Sequence, residues 1–392
     1  MNLDTEPGYD LGDMAFYWRM RNPGEGPHPR VPAFLPFSFS FMPGLQLVIQ
    51  KRRTETLHWL DEIYREDQNV GYLQEGHSLA ASYGDDFLGF MESACAEHGV
   101  APRSFIEVGC GGGYLLARLQ KQGYRVKGVD PSPVSVRAAE ALGVPMMADF
   151  YPSTRLTDQA DVIFHYDVLE HVADPVGFLA AHRANLGASG HVVIAVPDCT
   201  QSILRGDASM AIHEHLNYFD ADSLGRTLSQ AGFIPLKIMP SGYGGVLYAL
   251  ARVGQRADDA GAASHDLQKF RRFTRQLDAF RQAIRTFAAR HGTGAQGLGL
   301  YIPLRLIPYI AALGAVTHMR FFDDDPGILG KRFDGYEVPV ENFSGFAADP
   351  PSGVVIGSFP FGQKIATRIR QALGERVEIV TLEGIAQSAR PD

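Results

Sequence analysis

Apolar residues along the chain follow one dominant rhythm. Between residues 104 and 250, short apolar runs at 105–108, 126–129, 144–148, 162–166 and 192–196 alternate with stretches of helical spacing, notably 133–142 and 176–186. Runs that short read as buried strands, and the segments between them as crossover helices, so the pattern predicts a doubly wound parallel sheet. A helix over 84–98 is expected to lead into it. A second α/β unit is expected at the C-terminal end, with strand 354–358, helix 361–373 and strand 377–382. Between the two lies a long amphipathic stretch, 267–290. Its Phe270, Phe273, Leu277, Phe280, Ile284 and Phe287 recur at three and four residues, while Lys269, Arg271, Arg272, Arg275, Arg281 and Arg285 lie off that stripe, which predicts a helix with a solvated charged face.

The remaining segments are less periodic. Residues 1–30 are polar and rich in Gly and Pro, and read as a loop or loose arm; 45–66 look helical, with Leu60, Ile63 and Tyr64 inward; 254–265 read as a linker. Apolar stretches at 31–49 and 298–317 are broken by prolines, so buried core is expected there instead of a membrane span. The resulting division is 1–80 (arm and helical region), 81–253 (main sheet domain), 254–292 (linker and long helix) and 293–392 (C-terminal domain).

Composition narrows the function classes. The 392 residues are 45% hydrophobic and 20% charged, as in a globular protein, and the net charge of −8 argues against a nucleic-acid partner. Cys95, Cys110 and Cys199 form no C-x-x-C pair, which speaks against disulfides and a thiolate metal site. With no signal-peptide pattern at the N-terminus, a cytoplasmic location is expected, with no membrane partner.

The first apolar run carries the most chemical information. It holds an acid, Glu107, and breaks into Gly109, Cys110, Gly111, Gly112 and Gly113 before a helical pattern at Tyr114. This is a strand, a tight turn and a helix N-terminus, where backbone N–H groups are free and glycine lets a ligand approach. The dinucleotide spacing G-x-G-x-x-G fails, because its last position is Tyr114. An acid just ahead of the turn repels phosphate and suits a ligand carrying an ammonium and a sulfonium. Asp130, 19 residues past Gly111, ends the next strand at the distance where an acid meets ribose hydroxyls.

Glu107 with the glycines, and Asp130, resemble motifs I and II of class I S-adenosylmethionine (SAM) methyltransferases. The run Asp161 to Pro175, containing Asp167-Val168-Leu169-Glu170-His171, resembles their motif IV and the segment after it. The resemblance implies SAM as cofactor, held by Glu107, Gly109, Gly111 and Gly113, with Asp130 and Pro131 at the ribose and Asp149 and Phe150 at the adenine. It also implies that His165 and Tyr166 line the pocket, and that His171 stands beside the transferred methyl group.

A second cluster, Ile212-His213-Glu214-His215-Leu216-Asn217-Tyr218-Phe219, offers a base. A histidine accepts a proton near neutral pH, and methyl transfer to oxygen, nitrogen or carbon needs one removed. A metal on His213 and His215 is not expected, since they stand at i and i+2 with no H-E-x-x-H pattern. The block resembles the H-E-H-L-S-Y-F signature of bacterial deoxysugar and nucleotide-sugar C-methyltransferases. That resemblance implies His215 as base with Glu214 beside it, substrate contacts from Tyr72, His213 and Tyr243, and a C-terminal Rossmann-like domain over 297–375. That family opens with a cysteine-rich zinc module; this chain has no cysteine before Cys95, so no zinc is expected. The expected fold is therefore α/β, a Rossmann-like SAM methyltransferase domain plus a second, smaller Rossmann-like domain. The expected activity is methylation of a sugar or nucleotide-sugar-like small molecule, on carbon next to a ketone or on oxygen. A nicotinamide oxidoreductase and a non-catalytic SAM-binding scaffold are the competing readings.

Overall fold

The computed structural model describes residues 8–16, 20–65, 78–255, 266–311, 313, 318–359 and 361–388. Tyr72 and most of the expected linker lie outside them. The chain forms two compact units that do not follow consecutive segments. One comprises Phe41–Thr200 and Glu214–Asp266; the other comprises Met1–Ser40, Gln201–His213 and Leu267–Asp392. The N-terminal stretch thus groups with the C-terminal domain, unlike the expected division at residue 80.

The first unit is built on a seven-stranded sheet. Its strands are β1 (Ser104–Val108), β2 (Arg125–Asp130), β3 (Met146–Ala148), β4 (Ala160–Tyr166), β5 (Leu186–Pro197), β6 (Phe233–Pro240) and β7 (Val246–Val253), in the spatial order β6-β7-β5-β4-β1-β2-β3. All neighbours are parallel except β7, which runs antiparallel to both β5 and β6. The expected doubly wound sheet is present, with strand bounds close to those read from the apolar runs. Side chains alternate across it. Ile106, Ile163 and Ile194 face a core with Leu47, Phe178, Leu179, Leu224 and Leu228, while Phe105, Phe164 and Val193 face one with Phe87, Met91, Leu115 and Leu119. Strand order reverses between β1 and β4, so a crevice opens at their carboxyl ends, where ligands bind in such sheets.

Two expectations for the N-terminal third need correction. Within 45–66, Leu47–Gln50 is a strand paired antiparallel with Asn217–Tyr218, and the helix spans only Thr54–Arg65. The run Leu47-Val48-Ile49 is buried on both sides, which suits a central strand better than an amphipathic helix. Residues 1–30 are not all loop either. Gly8–Ala15 is a strand paired antiparallel with Phe34–Met42, with a shift in register between Asp10 and Gly12. That irregularity interrupts the period-two pattern that would have announced it.

The second unit holds a parallel five-stranded sheet. Its order runs from Val340–Glu341 through Met319–Phe322, Leu298–Tyr301 and Gly353–Ile356 to Glu378–Thr381. This is the expected smaller α/β domain. The helix Gln268–His291 buries its whole aromatic stripe, from Phe270 to Phe287. Its charged face is not wholly solvated, because Arg281 donates to the carbonyls of Asp10 and Leu11. Among the described residues no helix is long and apolar enough to cross a membrane.

Candidate functional site

The turn after β1 is a cradle with an unmet acceptor. Glu107 is 3% exposed, and its Oε2 meets no hydrogen-bond donor. Burial, and after it the charge of Asp130, push its carboxyl well above the usual carboxylate range. Gly109 takes φ +67°, and a Cβ there would come within 2.6 Å of Val168 Cγ2. Its N–H donates to the Val129 carbonyl at 2.8 Å. Gly113, at φ +78°, is the N-cap of the helix Tyr114–Lys121. Asp130 braces the turn from the tip of β2: Oδ2 accepts from the Gly111 N–H and Oδ1 from the Ser132 N–H, both at 2.9 Å. Pro131, half-buried, continues from it toward the helix Pro133–Ala141. A buried carboxylate oxygen without a donor, beside a glycine turn that keeps side chains away, fits a ligand that brings an ammonium group.

Beyond β3, Asp149 accepts from Ser153 Oγ at 2.6 Å and from the Phe150 N–H at 2.9 Å, and pairs with Arg155 at 3.4 Å. The Ser153 bond foremost holds its carboxyl below the ordinary value. Phe150 is an exposed aromatic at the same edge, 39% accessible. His165 is a correction. Its ring is wholly buried on the opposite face of β4, in edge contact with Phe178 and His182, and neither nitrogen meets a partner. One residue of strand pleat turns it into the core and sends Tyr166 to the other face of β4.

Tyr166 joins an aromatic group that the sequence did not announce. Its hydroxyl lies 2.5 Å from that of Tyr243, whose ring stacks on Tyr83 at 4.0 Å; Tyr248 donates to Asp86 at 3.0 Å and reaches the Tyr243 hydroxyl at 3.4 Å. Tyr243 sits in the turn between β6 and β7, so a helix, two strands and a turn contribute to one tyrosine cluster. Burial foremost raises the phenols of Tyr166, Tyr243 and Tyr248, so they stay protonated.

The segments 167–172 and 214–217 are stitched together next to this turn. Asp167, directly after β4, takes φ +54°, a left-handed conformation uncommon outside glycine and found at functional sites. A short 3-10 turn, Leu169–His171, follows. The Leu216 N–H donates to the Glu170 carbonyl at 2.7 Å. The Asn217 side chain donates to the carbonyls of Leu169 at 3.0 Å and Val172 at 2.7 Å. His171 Nδ1 donates to the Glu214 carbonyl at 2.8 Å, and its ring meets that of His215 edge-on at 4.9 Å. Burial pushes the His171 imidazole below its usual value. Glu170 is 1% exposed, neither of its oxygens has a hydrogen-bond partner, and Oε1 lies 3.7 Å from His171 Nε2.

Expectations for the histidine cluster change accordingly. Glu214 orients His171, by its main-chain carbonyl, where a carboxylate beside His215 was expected. His213 is not at a substrate surface. It is buried in the other unit between Phe16 and Phe37, its Nε2 donates to the Leu35 carbonyl at 3.2 Å, and burial takes its imidazole down to about 4. A turn at 213–214 sends the two histidines apart. His215 instead meets Glu170 and His171, a grouping in which Glu170 and Asn217 went unrecognised; the Glu-His step inside Asp167 to His171 and the Asn of the H-E-H-L-N block were the available signals.

Residues 87–237 match the family described as "Methyltransferase domain". The ubiquinone biosynthesis O-methyltransferase of Methylobacterium sp. (strain 4-46) is 34% identical over 116 residues, 25% of this chain and 46% of the relative. That of Ruegeria sp. (strain TM1040) is 28% identical over 150 residues, 33% of this chain and 60% of the relative. The chain spans about half the length of the curated relatives it matches. Among solved structures, the 1,6-didemethyltoxoflavin N1-methyltransferase of Burkholderia thailandensis, with bound S-adenosylhomocysteine, aligns at a TM-score of 0.39 and 18% identity over 59% of this chain and 100% of its own. Residues 87–237 thus form a methyltransferase domain, which lies in the first unit except for Gln201–His213.

Proposed function

We propose that the protein transfers a methyl group from SAM to a hydroxyl oxygen of a small, ring-bearing molecule at the tips of β1 and β4. SAM supplies an electrophilic methyl on a sulfonium. The protein's part begins with Glu107, whose unmet Oε2 accepts from the ammonium of the methionine end, while the glycine turn leaves room for it. Asp130 keeps lone pairs for the ribose hydroxyls while bracing the turn, and Phe150 offers a ring to the adenine. In-line placement of acceptor and methyl supplies most of the rate, up to about 7–11 kcal/mol in favourable cases.

The observation that carries the proposal is the grouping of Glu170, His171 and His215 beside Val168, which touches the cofactor turn at Gly109. His171 is neutral, its Nδ1–H is committed to the Glu214 carbonyl, and its Nε2 lone pair faces the cluster. A group of such residues there assists the loss of the nucleophile's proton. The O-methyltransferase names of the relatives support oxygen as the acceptor. The tyrosines around Tyr243 offer aromatic faces to a ring.

A second reading, methylation of a nucleotide-linked sugar on carbon or oxygen, is favoured by the five-stranded parallel sheet of the other unit, which suits a nucleotide. Incubating the protein with SAM and two panels, dihydroxylated aromatics and nucleotide-linked ketosugars, separates the readings by mass spectrometry. A gain of one CH2 in an aromatic diol is the expected result. A gain confined to the sugars favours the second reading, and no gain in either panel removes both.

A further inference from the structure

We propose that Glu170, His171 and His215 bind a divalent transition-metal ion of the zinc type, which receives the acceptor's oxygen. The ion's role in the reaction rests on the methyl-transfer reading; the site itself does not.

The three residues each aim a ligand atom into one space, and these atoms lie within 4.8 Å of one another. A tetrahedral zinc ion with bonds of about 2.0–2.2 Å spaces its donors about 3.4 Å apart, so closing the site takes side-chain shifts of about 1 Å. Glu170 points to a ligand independently. It is 1% exposed, and both its oxygens are buried without a hydrogen-bond partner. Buried carboxylates are paired or bound to metals, because an isolated one is costly.

His171 is set up in the manner of a metal ligand. Its Nδ1–H is spent on the Glu214 carbonyl at 2.8 Å, which fixes the tautomer and leaves a lone pair on Nε2. That lone pair stands 3.7 Å from Glu170 Oε1. A bound ion between them would bridge that spacing. The scaffold is rigid: Asn217 and the Leu216 N–H clamp the segment that carries Glu170 and His171 onto the segment that carries His215. Two imidazoles and one carboxylate with a fourth position open is the donor set of catalytic zinc, and nitrogen donors disfavour calcium and magnesium. A hydroxyl that coordinates there loses its proton to solvent more readily. Its oxygen lone pair then forms the new C–O bond, and the broken S–C bond leaves its electron pair on sulfur.

The test uses tag-free, full-length protein stripped with a chelator, dialysed against Zn2+, Mn2+ or Mg2+, and analysed for bound metal by mass spectrometry. One Zn2+ per chain is expected, with affinity at least tenfold weaker in Glu170→Gln and in His215→Ala. Both variants should bind S-adenosylhomocysteine like wild type, which also reports that they fold. The wild-type protein loaded with Co2+ provides a reading free of variants, and visible bands of a four-coordinate ion are expected. No stoichiometric ion, no such bands, or equal binding by Glu170→Gln overturns the site. One ion per chain in a protein that methylates neither panel keeps the site and removes the methyl-transfer reading. Turnover in a protein that binds no ion does the reverse.

Discussion

Glu107 holds its position against its own stability. Its side chain is buried with one oxygen unmet, and the nearby Asp130 adds repulsion, so the protein without ligand carries a strained carboxyl. Glu107→Gln removes the ionisable group and keeps the shape. The variant should melt at a higher temperature than wild type without ligand, yet bind SAM roughly ten- to a hundredfold more weakly, because a charge-assisted hydrogen bond is worth about 1.5–3 kcal/mol. Thermal melts and calorimetry on the same samples check both directions. A variant with unchanged SAM affinity would remove Glu107 from the ammonium contact.

At the scale of elements, the site depends on how two loops are tied. Asn217 starts a two-residue strand paired with Leu47–Gln50, while its side chain bonds the Leu169 carbonyl at the start of the 3-10 turn that carries Glu170 and His171 and the Val172 carbonyl just past its end. It holds the donors of those two residues and of His215 in one place without touching a reactant. Asn217→Ala leaves buried carbonyls unmet, at a cost of roughly 1–3 kcal/mol. Turnover should fall by more than tenfold while S-adenosylhomocysteine affinity stays within about twofold, since the glycine turn is braced separately by Asp130. Equal losses in both would mean that Asn217 supports only the fold. Measuring kcat beside calorimetric affinity makes the distinction.

For the molecule as a whole, buried neutral histidines weaken the fold as pH falls. Burial takes His182, in the first unit, and His213, in the second, down to about 4, against about 6.5 in the unfolded chain. Between those values the unfolded chain binds protons at these sites that the folded one does not, so their contribution to stability is complete above about 6.5 and declines as pH falls toward 4. Each site can withdraw up to about 3 kcal/mol over that window. The buried carboxyls of Glu107 and Glu170, raised by burial, act in the opposite direction, so the slope of circular dichroism melting midpoints from pH 7 to pH 5 reads the histidine contribution as the difference between wild type and a histidine variant. His182→Asn keeps a donor for the Phe178 carbonyl, which His182 Nδ1 meets at 2.9 Å, and should flatten that slope. An unchanged slope would show that His182 titrates freely.

What the sequence determined by itself is local in the chain. The apolar runs located the strands of the main sheet, the stripe from Phe270 to Phe287 located the long helix, and Glu107 with the glycines and Asp130 located the glycine turn at the tips of β1 and β2. These signals lie within a strand, a helix or one strand-turn-helix unit, where the spacing of neighbours encodes geometry directly. Tertiary structure alone decided the rest. The pleat of β4 determined that His165 enters the core and Tyr166 the opposite face, and the turn at 213–214 that His213 and His215 part. The tyrosines near Tyr243 come from separate elements, and Glu170 and His171 reach His215 only when distant loops are clamped by Asn217. Such a constellation is a product of chain closure, whose partners lie far apart in sequence, so no period or spacing announces it.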